Sequence, residues 1–253
     1  MPVNQQHRYL FFTKWMVLLG FLLTQGCSTS EEAVPHEPAK AIYFKAMASY
    51  EDETLKEAEK RFQQVIAQNP GTKLATMSYL KLGDLQFTNQ EWEKSETNYR
   101  SFLTFNPKSH LTPYVLSQLI ALNYERNVHG IFVKSRDFER DMEPNRKIIQ
   151  EYQRFFFLYA NNAYLADTKK YLRLAKNDLA EHELMVANFY FENKSYNSAI
   201  LRYLHLLKTY PAYSRTKEAG LRLIEAYKEN KQPHLATEMQ QAIEVRFSQN
   251  TQP

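Results

Sequence analysis

Tyr79-Leu80-Lys81-Leu82-Gly83, then Trp92, Ser95, Tyr99 and Phe102, then Asn106-Pro107-Lys108-Ser109: this run holds the pattern that decides the fold. Counted back from Pro211, the matching places hold Leu206, Tyr203, Ala199, Tyr196, Ala187 and Val186. Counted back from Pro70, they hold Val65, Phe62, Ala58, Leu55, Ala46 and Ile42. Small residues recur where two antiparallel helices must approach closely, and large apolar ones recur where the helices interlock. Proline closes the second helix because it cannot continue the hydrogen-bond ladder.

A helix pair with these features is tetratricopeptide-like, although Pro70 and Pro107 stand 37 residues apart, against the usual spacing of about 34. Ala219, Leu223, Tyr227 and Ala236 fit a last pair. The chain shows no runs of alternating β-branched residues, while apolar residues recur at three- and four-residue steps. The expected fold is all-α, a right-handed solenoid of about five helix pairs. The spacing predicts helices over 39–51, 55–68, 73–88, 92–105, 112–129, 144–159, 163–192, 196–209, 214–230 and 234–248. Two places break the period. The stretch from Pro107 to Asn161 is 54 residues long, which leaves room for an insertion of about 17 residues around His129–Glu143. The helix that follows, from Ala163 to about Glu192, is too long for one repeat.

Upstream of the pairs the texture differs. Arg8 and Lys14 precede the apolar run Trp15–Leu23, and Thr24-Gln25-Gly26-Cys27 follows it. That run is shorter than the about 20 residues a membrane span needs, so it reads as a secretory signal over 1–26. Cys27 is the only cysteine, and its setting looks like a bacterial lipobox, in which the sulfur receives diacylglycerol and cleavage falls just before it. Lipoboxes usually carry Leu three residues before the cysteine, where this chain has Thr24. Cleaved or retained as an anchor, the segment would leave everything after Cys27 exported and tethered to a membrane. Ser28 after the cysteine resembles lipoproteins sorted to the outer membrane. Residues 27–40, with Pro35 and Pro38, read as an extended linker. The helical domain is then expected over 41–250, divided into 41–110, a middle repeat with its insertion over 111–162, and 163–250.

The net charge of +4 includes Arg8 and Lys14, without which 30 basic residues face 28 acidic ones. A nucleic-acid binder needs a basic face to neutralise phosphates, so no nucleic-acid partner is expected. With Cys27 consumed by lipid, no thiol remains for a disulfide or a metal. The histidines at 7, 36, 110, 129, 182, 205 and 234 have no metal-ligand spacing. His182-Glu183 lacks the second histidine a zincin requires, Val186 standing in its place. No glycines cluster to cradle a phosphate. No catalytic residue, metal or cofactor is expected, and Glu183 reads as a hydrogen-bond partner for a neighbouring helix. Tyr99, Phe102, Tyr190 and Tyr203 read as core. Phe155-Phe156-Phe157 cannot all face one side of a helix, so at least one must point away from its own pair.

The irregularities bring a family into view. Asn177-Asp178-Leu179-Ala180-Glu181-His182-Glu183-Leu184-Met185-Val186-Ala187-Asn188-Phe189-Tyr190 resembles a helix of the BamD-type lipoproteins. Gly130-Ile131-Phe132, Arg136-Asp137, Arg140-Asp141 and Pro144 look like that family's loop between middle helices. The resemblance covers Cys27 to about Phe247. It implies a non-enzymatic, lipid-anchored subunit of the outer-membrane β-barrel assembly machine, on the periplasmic face of the outer membrane. It further implies that the C-terminal repeats dock on the POTRA region of the central barrel subunit, with Arg202 in the position of a family arginine on the docking helix. Accessory assembly lipoproteins are implied as further partners. The N-terminal repeats would hold the C-terminal targeting signal of unfolded outer-membrane clients. Another outer-membrane tetratricopeptide lipoprotein, pilotin-like or cell-wall-associated, is the alternative.

In a helix-pair solenoid the first helix of each pair lines the concave face. In the N-terminal pairs those helices carry Tyr43, Met47, Tyr50, Met77, Lys81, Asp84 and Gln86. An aromatic, thioether and mixed-polar lining suits a peptide with aromatic residues, since Met adapts to varied shapes.

Overall fold

The computed structural model describes residues 37–129 and 141–248. Cys27, the expected signal over 1–26, most of the expected linker and residues Gly130–Arg140 of the expected insertion lie outside the described residues. Among the described residues ten helices follow one another: α1 (Ala39–Glu51), α2 (Leu55–Gln68), α3 (Lys73–Thr88), α4 (Trp92–Phe105), α5 (Thr112–His129), α6 (Glu143–Tyr159), α7 (Leu165–Glu192), α8 (Tyr196–Thr209), α9 (Thr216–Glu229) and α10 (Pro233–Ser248). The described residues contain no strand, and none of their helices is long and apolar enough to cross a membrane. The fold is all-α, with α1/α2, α3/α4, α5/α6, α7/α8 and α9/α10 as five pairs.

The turn inside four of these pairs is built the same way. Glu53, Gln90, Lys194 and Lys231 each adopt a left-handed backbone, with φ of 57°, 60°, 59° and 59°. The amide of the next residue then donates five positions back, as Glu91 does to the Gln86 carbonyl at 2.8 Å and Ser195 to the Tyr190 carbonyl at 2.9 Å. This left-handed cap satisfies carbonyls that the ending helix would otherwise orphan. Turns between pairs form a second class. Asn69, Asn106 and Tyr210 cap α2, α4 and α8, their amides donating to the carbonyls of Val65, Phe102 and Leu206, and proline follows each.

The small residues read from the sequence mark the close approaches. Ala46, Ala58, Ala187 and Ala199 are fully buried, and Ser95 donates to the Gly83 carbonyl at 2.8 Å. Phe62, Tyr99 and Tyr203 are the large side chains that interlock beside them. The apolar interior falls into three clusters. One centres on Ala46, Phe62 and Leu85, and a second runs from Leu80 through Tyr99, Leu116 and Phe155 to Ala175. The third runs from Ala180 through Tyr203 and Leu223 to Ile243. The length of α7 follows from this arrangement. Leu165, Tyr171 and Ala175 serve the second cluster, and Ala180, Leu184 and Ala187 serve the third. One helix thereby belongs to two cores.

Helix α7 begins at Leu165 rather than at the expected Ala163. Asn162 accepts the Tyr164 amide through its Oδ1 at 3.1 Å, a local turn that competes with the helix. Of the three phenylalanines, Phe155 is buried in the second cluster, whereas Phe156 and Phe157 are exposed.

Candidate functional site

Steps of four and three residues put Tyr43, Met47 and Tyr50 on one face of α1, and Met77, Lys81 and Asp84 on one face of α3. The two helices touch. Tyr43, Met47 and Tyr50 are half-buried against the first apolar cluster, with the Tyr43 ring edge-on to Phe62 at 5.8 Å. Met77 packs on the second cluster. Lys81 joins the two faces: its Nζ lies 5.4 Å from the centre of the Tyr50 ring and 3.9 Å from Asp84 Oδ2. A cation over an aromatic face and beside a carboxylate is held by both.

Asp84 is the node of this surface. Its Oδ1 accepts the hydroxyls of Tyr99 from α4 and Tyr114 from α5, each at 2.9 Å. Three helix pairs therefore meet at one carboxylate and its lysine. Burial pushes the Asp84 carboxyl above its ordinary range, and the bonds from Tyr114 and Tyr99 and the charge of Lys81 oppose that shift without cancelling it. Burial and the charge on Asp84 push Tyr99 and Tyr114 upward as well, which keeps both as phenol donors. Tyr114 continues the surface toward α7 through its ring contact with Tyr164 at 5.9 Å. The arrangement offers aromatic faces, thioethers, one cation and one shielded carboxylate. That chemistry binds apolar and aromatic side chains and fixes a polar group beside them.

Gln86 does not line this surface. It sits two residues beyond Asp84, on another face of α3, and is buried. Its Nε2 donates to Glu59 at 3.0 Å and its Oε1 accepts from Asn98 at 2.7 Å, so it bridges α2, α3 and α4. The amide fits there because it is both donor and acceptor.

Arg202 lies on α8, half-exposed, and its Nη1 reaches both oxygens of Glu183 on α7, at 3.1 and 3.3 Å. Glu183 is thus the partner of a neighbouring helix. Beside Arg202, Leu201 is exposed. Nearby, Tyr213 and Arg215 both donate to Glu181, and Arg215 grips Glu218 through Nε and Nη2 at 2.8 Å each.

Sequence reasoning missed a second polar hub. Glu96 of α4 accepts from Arg100 and from Arg126 of α5, and Arg100 also donates to Glu151 of α6 at 2.8 Å. Asn127 donates to Asn145 at 2.9 Å, tying the last turn of α5 to the first of α6 across the insertion. The available signal was the pairing of Glu96 with Arg100 at a four-residue step. Its partners on other helices carried none. Among the described residues no cluster of His, Cys, Asp or Glu could hold a metal ion.

A model of the YfiO family, described as "Outer membrane lipoprotein", matches residues 35–242. Relatives named outer membrane protein assembly factor BamD are similar along most of their length. That of Vibrio cholerae is 27% identical, covering 84% of this chain and 89% of the relative. That of Haemophilus influenzae is 24% identical, covering 88% and 86%. That of Rickettsia prowazekii is 21% identical, covering 84% and 81%.

Proposed function

The chain belongs to the YfiO family of outer membrane lipoproteins, and from that premise we propose that it is a non-enzymatic subunit of the machinery that assembles outer-membrane proteins. The observation that carries this reading is the extent of the match. It runs from before α1 into α10, so the likeness embraces the whole array of pairs rather than one tetratricopeptide unit, which alone would say little about function.

In this reading Cys27 carries the lipid that holds the protein to the periplasmic face of the outer membrane. The C-terminal pairs dock on the POTRA region of the central barrel subunit, with Arg202 at the contact, and accessory lipoproteins join the same assembly. The N-terminal surface made by Tyr43, Met47, Tyr50, Met77, Lys81 and Asp84 receives the C-terminal signal of unfolded clients. The chemistry supports this last step. An extended peptide is held by a preformed concave surface without covalent work, and Lys81 beside Tyr50 presents one cation next to an aromatic face.

The test is purification of the tagged protein from membranes in mild detergent, followed by identification of what accompanies it. Recovery of an outer-membrane barrel bearing POTRA domains is expected. Recovery of a secretin or of cell-wall enzymes in its place overturns the reading. Substitution Cys27→Ser is expected to abolish incorporation of labelled lipid and to release the protein from the outer-membrane fraction, because multi-chain acylation supplies the stable attachment.

A further inference from the structure

In an antiparallel pair the second helix ends where the first begins. Short connections then carry the chain from each second helix to the next first helix, so the ends of α2, α4, α6 and α8 share an edge with the starts of α1, α3, α5, α7 and α9. Helices α4 and α6 lie side by side in the same direction, since Glu96 pairs with Lys147 at 3.9 Å and Arg100 with Glu151 at 2.8 Å. The same offset brings Phe105, at the end of α4, level with Phe156. Phe105 stacks on Tyr79 at 5.6 Å and Phe156 on Tyr152 at 6.0 Å, yet both remain exposed to solvent. Following Phe156 on α6, Phe157 is 87% exposed and Leu158 50%. Tyr164, at the adjoining turn, is exposed as well.

From this edge we infer that Phe105, Phe156, Phe157 and Leu158 form a membrane-contact patch that enters the headgroup region of an anionic lipid surface. The inference rests on the reading of Cys27 as the anchored residue. Two observations favour lipid over other occupants. The first is charge: in the stretches 105–110, 154–158 and 164–170, which hold the exposed apolar residues and adjoin them in sequence, Lys108, Arg154, Lys169 and Lys170 face only Asp167, and all four cations are exposed. Aromatic side chains rimmed by cations are the composition of a bilayer interface, where the rings take the headgroup level and the cations meet anionic lipid. The second is chain direction. The segment from Cys27 enters the helices at Ala39, the start of α1, on this same edge. Its dozen residues span up to about 40 Å when extended, and helices pack about 10 Å apart, so the tether reaches a membrane lying against the patch. A lipid chain and an apolar patch with cations would then act as paired attachment signals that fix orientation as well as location.

The experiment uses Cys27, the only thiol in the chain, to couple the full chain to a maleimide lipid in vesicles. An anchor is thereby installed whether or not Cys27 is acylated in the cell. Phe157→Trp adds an indole, and the emission of the parent is subtracted from that of the variant. In vesicles of phosphatidylglycerol and phosphatidylcholine the added emission should move to shorter wavelength and lose most of its intensity to brominated acyl chains. In phosphatidylcholine alone the quenching should be much weaker, and Arg154→Glu with Lys169→Glu should remove it from the anionic vesicles. Emission that stays unquenched in both vesicles overturns the inference. So does protection of the indole by a second copy, seen as a dimer in sedimentation of the untethered variant. Failure of acylation at Cys27 would appear in lipid labelling of cells and leave this readout unchanged.

Discussion

Gly83 and Tyr99 are packed so closely that a Cβ built on Gly83 would lie 2.6 Å from two carbons of the Tyr99 ring. The ring cannot retreat, because it is buried and its hydroxyl is bound to Asp84. Gly83→Ala should therefore destabilise the protein by about 1–3 kcal/mol through overpacking, although alanine is the better helix former by about 1 kcal/mol. Gly220 is the control. A Cβ there meets the Cδ1 tip of Ile243, the far end of a flexible side chain, so Gly220→Ala should be neutral or mildly stabilising. Urea unfolding of the two variants checks the contrast.

The left-handed turns give a prediction of opposite sign. Lys194 holds φ at 59° between α7 and α8, a conformation that costs an L-residue about 1–2 kcal/mol. Glycine escapes that cost but loses about 0.5–1 kcal/mol in chain entropy. Lys194→Gly should accordingly raise stability by roughly 0.5–1 kcal/mol. Loss of stability on thermal unfolding would show that the lysine side chain makes a contact of its own.

Asp84 lets charge be separated from hydrogen bonding. The equivalent place in the fourth pair is Asn188, whose Oδ1 accepts the Tyr203 hydroxyl at 2.6 Å. An amide therefore does this work elsewhere in the same molecule. Because Asp84 is shifted upward in the folded state, its contribution is fully present below the unfolded carboxyl pKa and is lost as pH rises through the folded one. Asp84→Asn should leave stability at neutral pH equal or higher and flatten that decline. Asp84→Leu should cost about 1–3 kcal/mol, since it strands the buried Tyr99 hydroxyl. If the groove holds client peptides beside Lys81, Asp84→Asn should alter peptide affinity with the fold intact.

The helices were legible in the sequence because their periodicity, small residues and prolines are local signals. Gly83, Ala187 and Ala46 aligned correctly from Pro107, Pro211 and Pro70, and all lie at helix contacts. Gln86 shows where this stops. A polar residue on a first helix reads as groove lining unless one knows that Glu59 and Asn98 converge on it from other helices. Asp84 was found as a surface residue, but its two phenols come from residues 15 and 30 positions away. Phe157 was readable only as one of three candidates for the outward side, because helical spacing leaves unspecified which neighbour covers each face.

The hub at Glu96 should make acid stability depend on the second and third pairs. Burial raises its carboxyl, but the Arg100 bond and the charges of Arg100, Lys147 and Arg126 outweigh that and hold it below the ordinary range. A depressed carboxyl stabilises above its unfolded pKa, and the contribution is lost as pH falls through the folded value. Glu96→Gln should cost about 1.5–3 kcal/mol at neutral pH, the scale for hydrogen bonds to charged groups, and should lessen the further loss below the usual carboxylate range. Parallel acid titrations of parent and variant, followed by helical signal, would reveal equal slopes if the hub is irrelevant.

Arg202 carries the docking claim, and its bond to Glu183 dictates how it must be tested. Arg202→Glu would set a second carboxylate against Glu183, confusing local repulsion with lost docking. Arg202→Ala is cleaner. The Arg202–Glu183 pair is half-exposed on the arginine side, and such surface pairs are worth about 0–1 kcal/mol, so the fold should keep nearly all its stability. If Arg202 meets a carboxylate on the barrel subunit, removing it from a desolvated pair should cost about 2–5 kcal/mol of binding, mostly as faster dissociation. Glu183→Gln supplies the reverse control. It frees the guanidinium from its internal carboxylate, and should leave binding intact or tighten it if the partner competes for Arg202. Kinetics of the barrel subunit's periplasmic domain on the immobilised parent and both variants separate these cases. Unchanged dissociation from Arg202→Ala would reduce Arg202 to a link between α7 and α8 and move the search to Leu201 and its exposed neighbours.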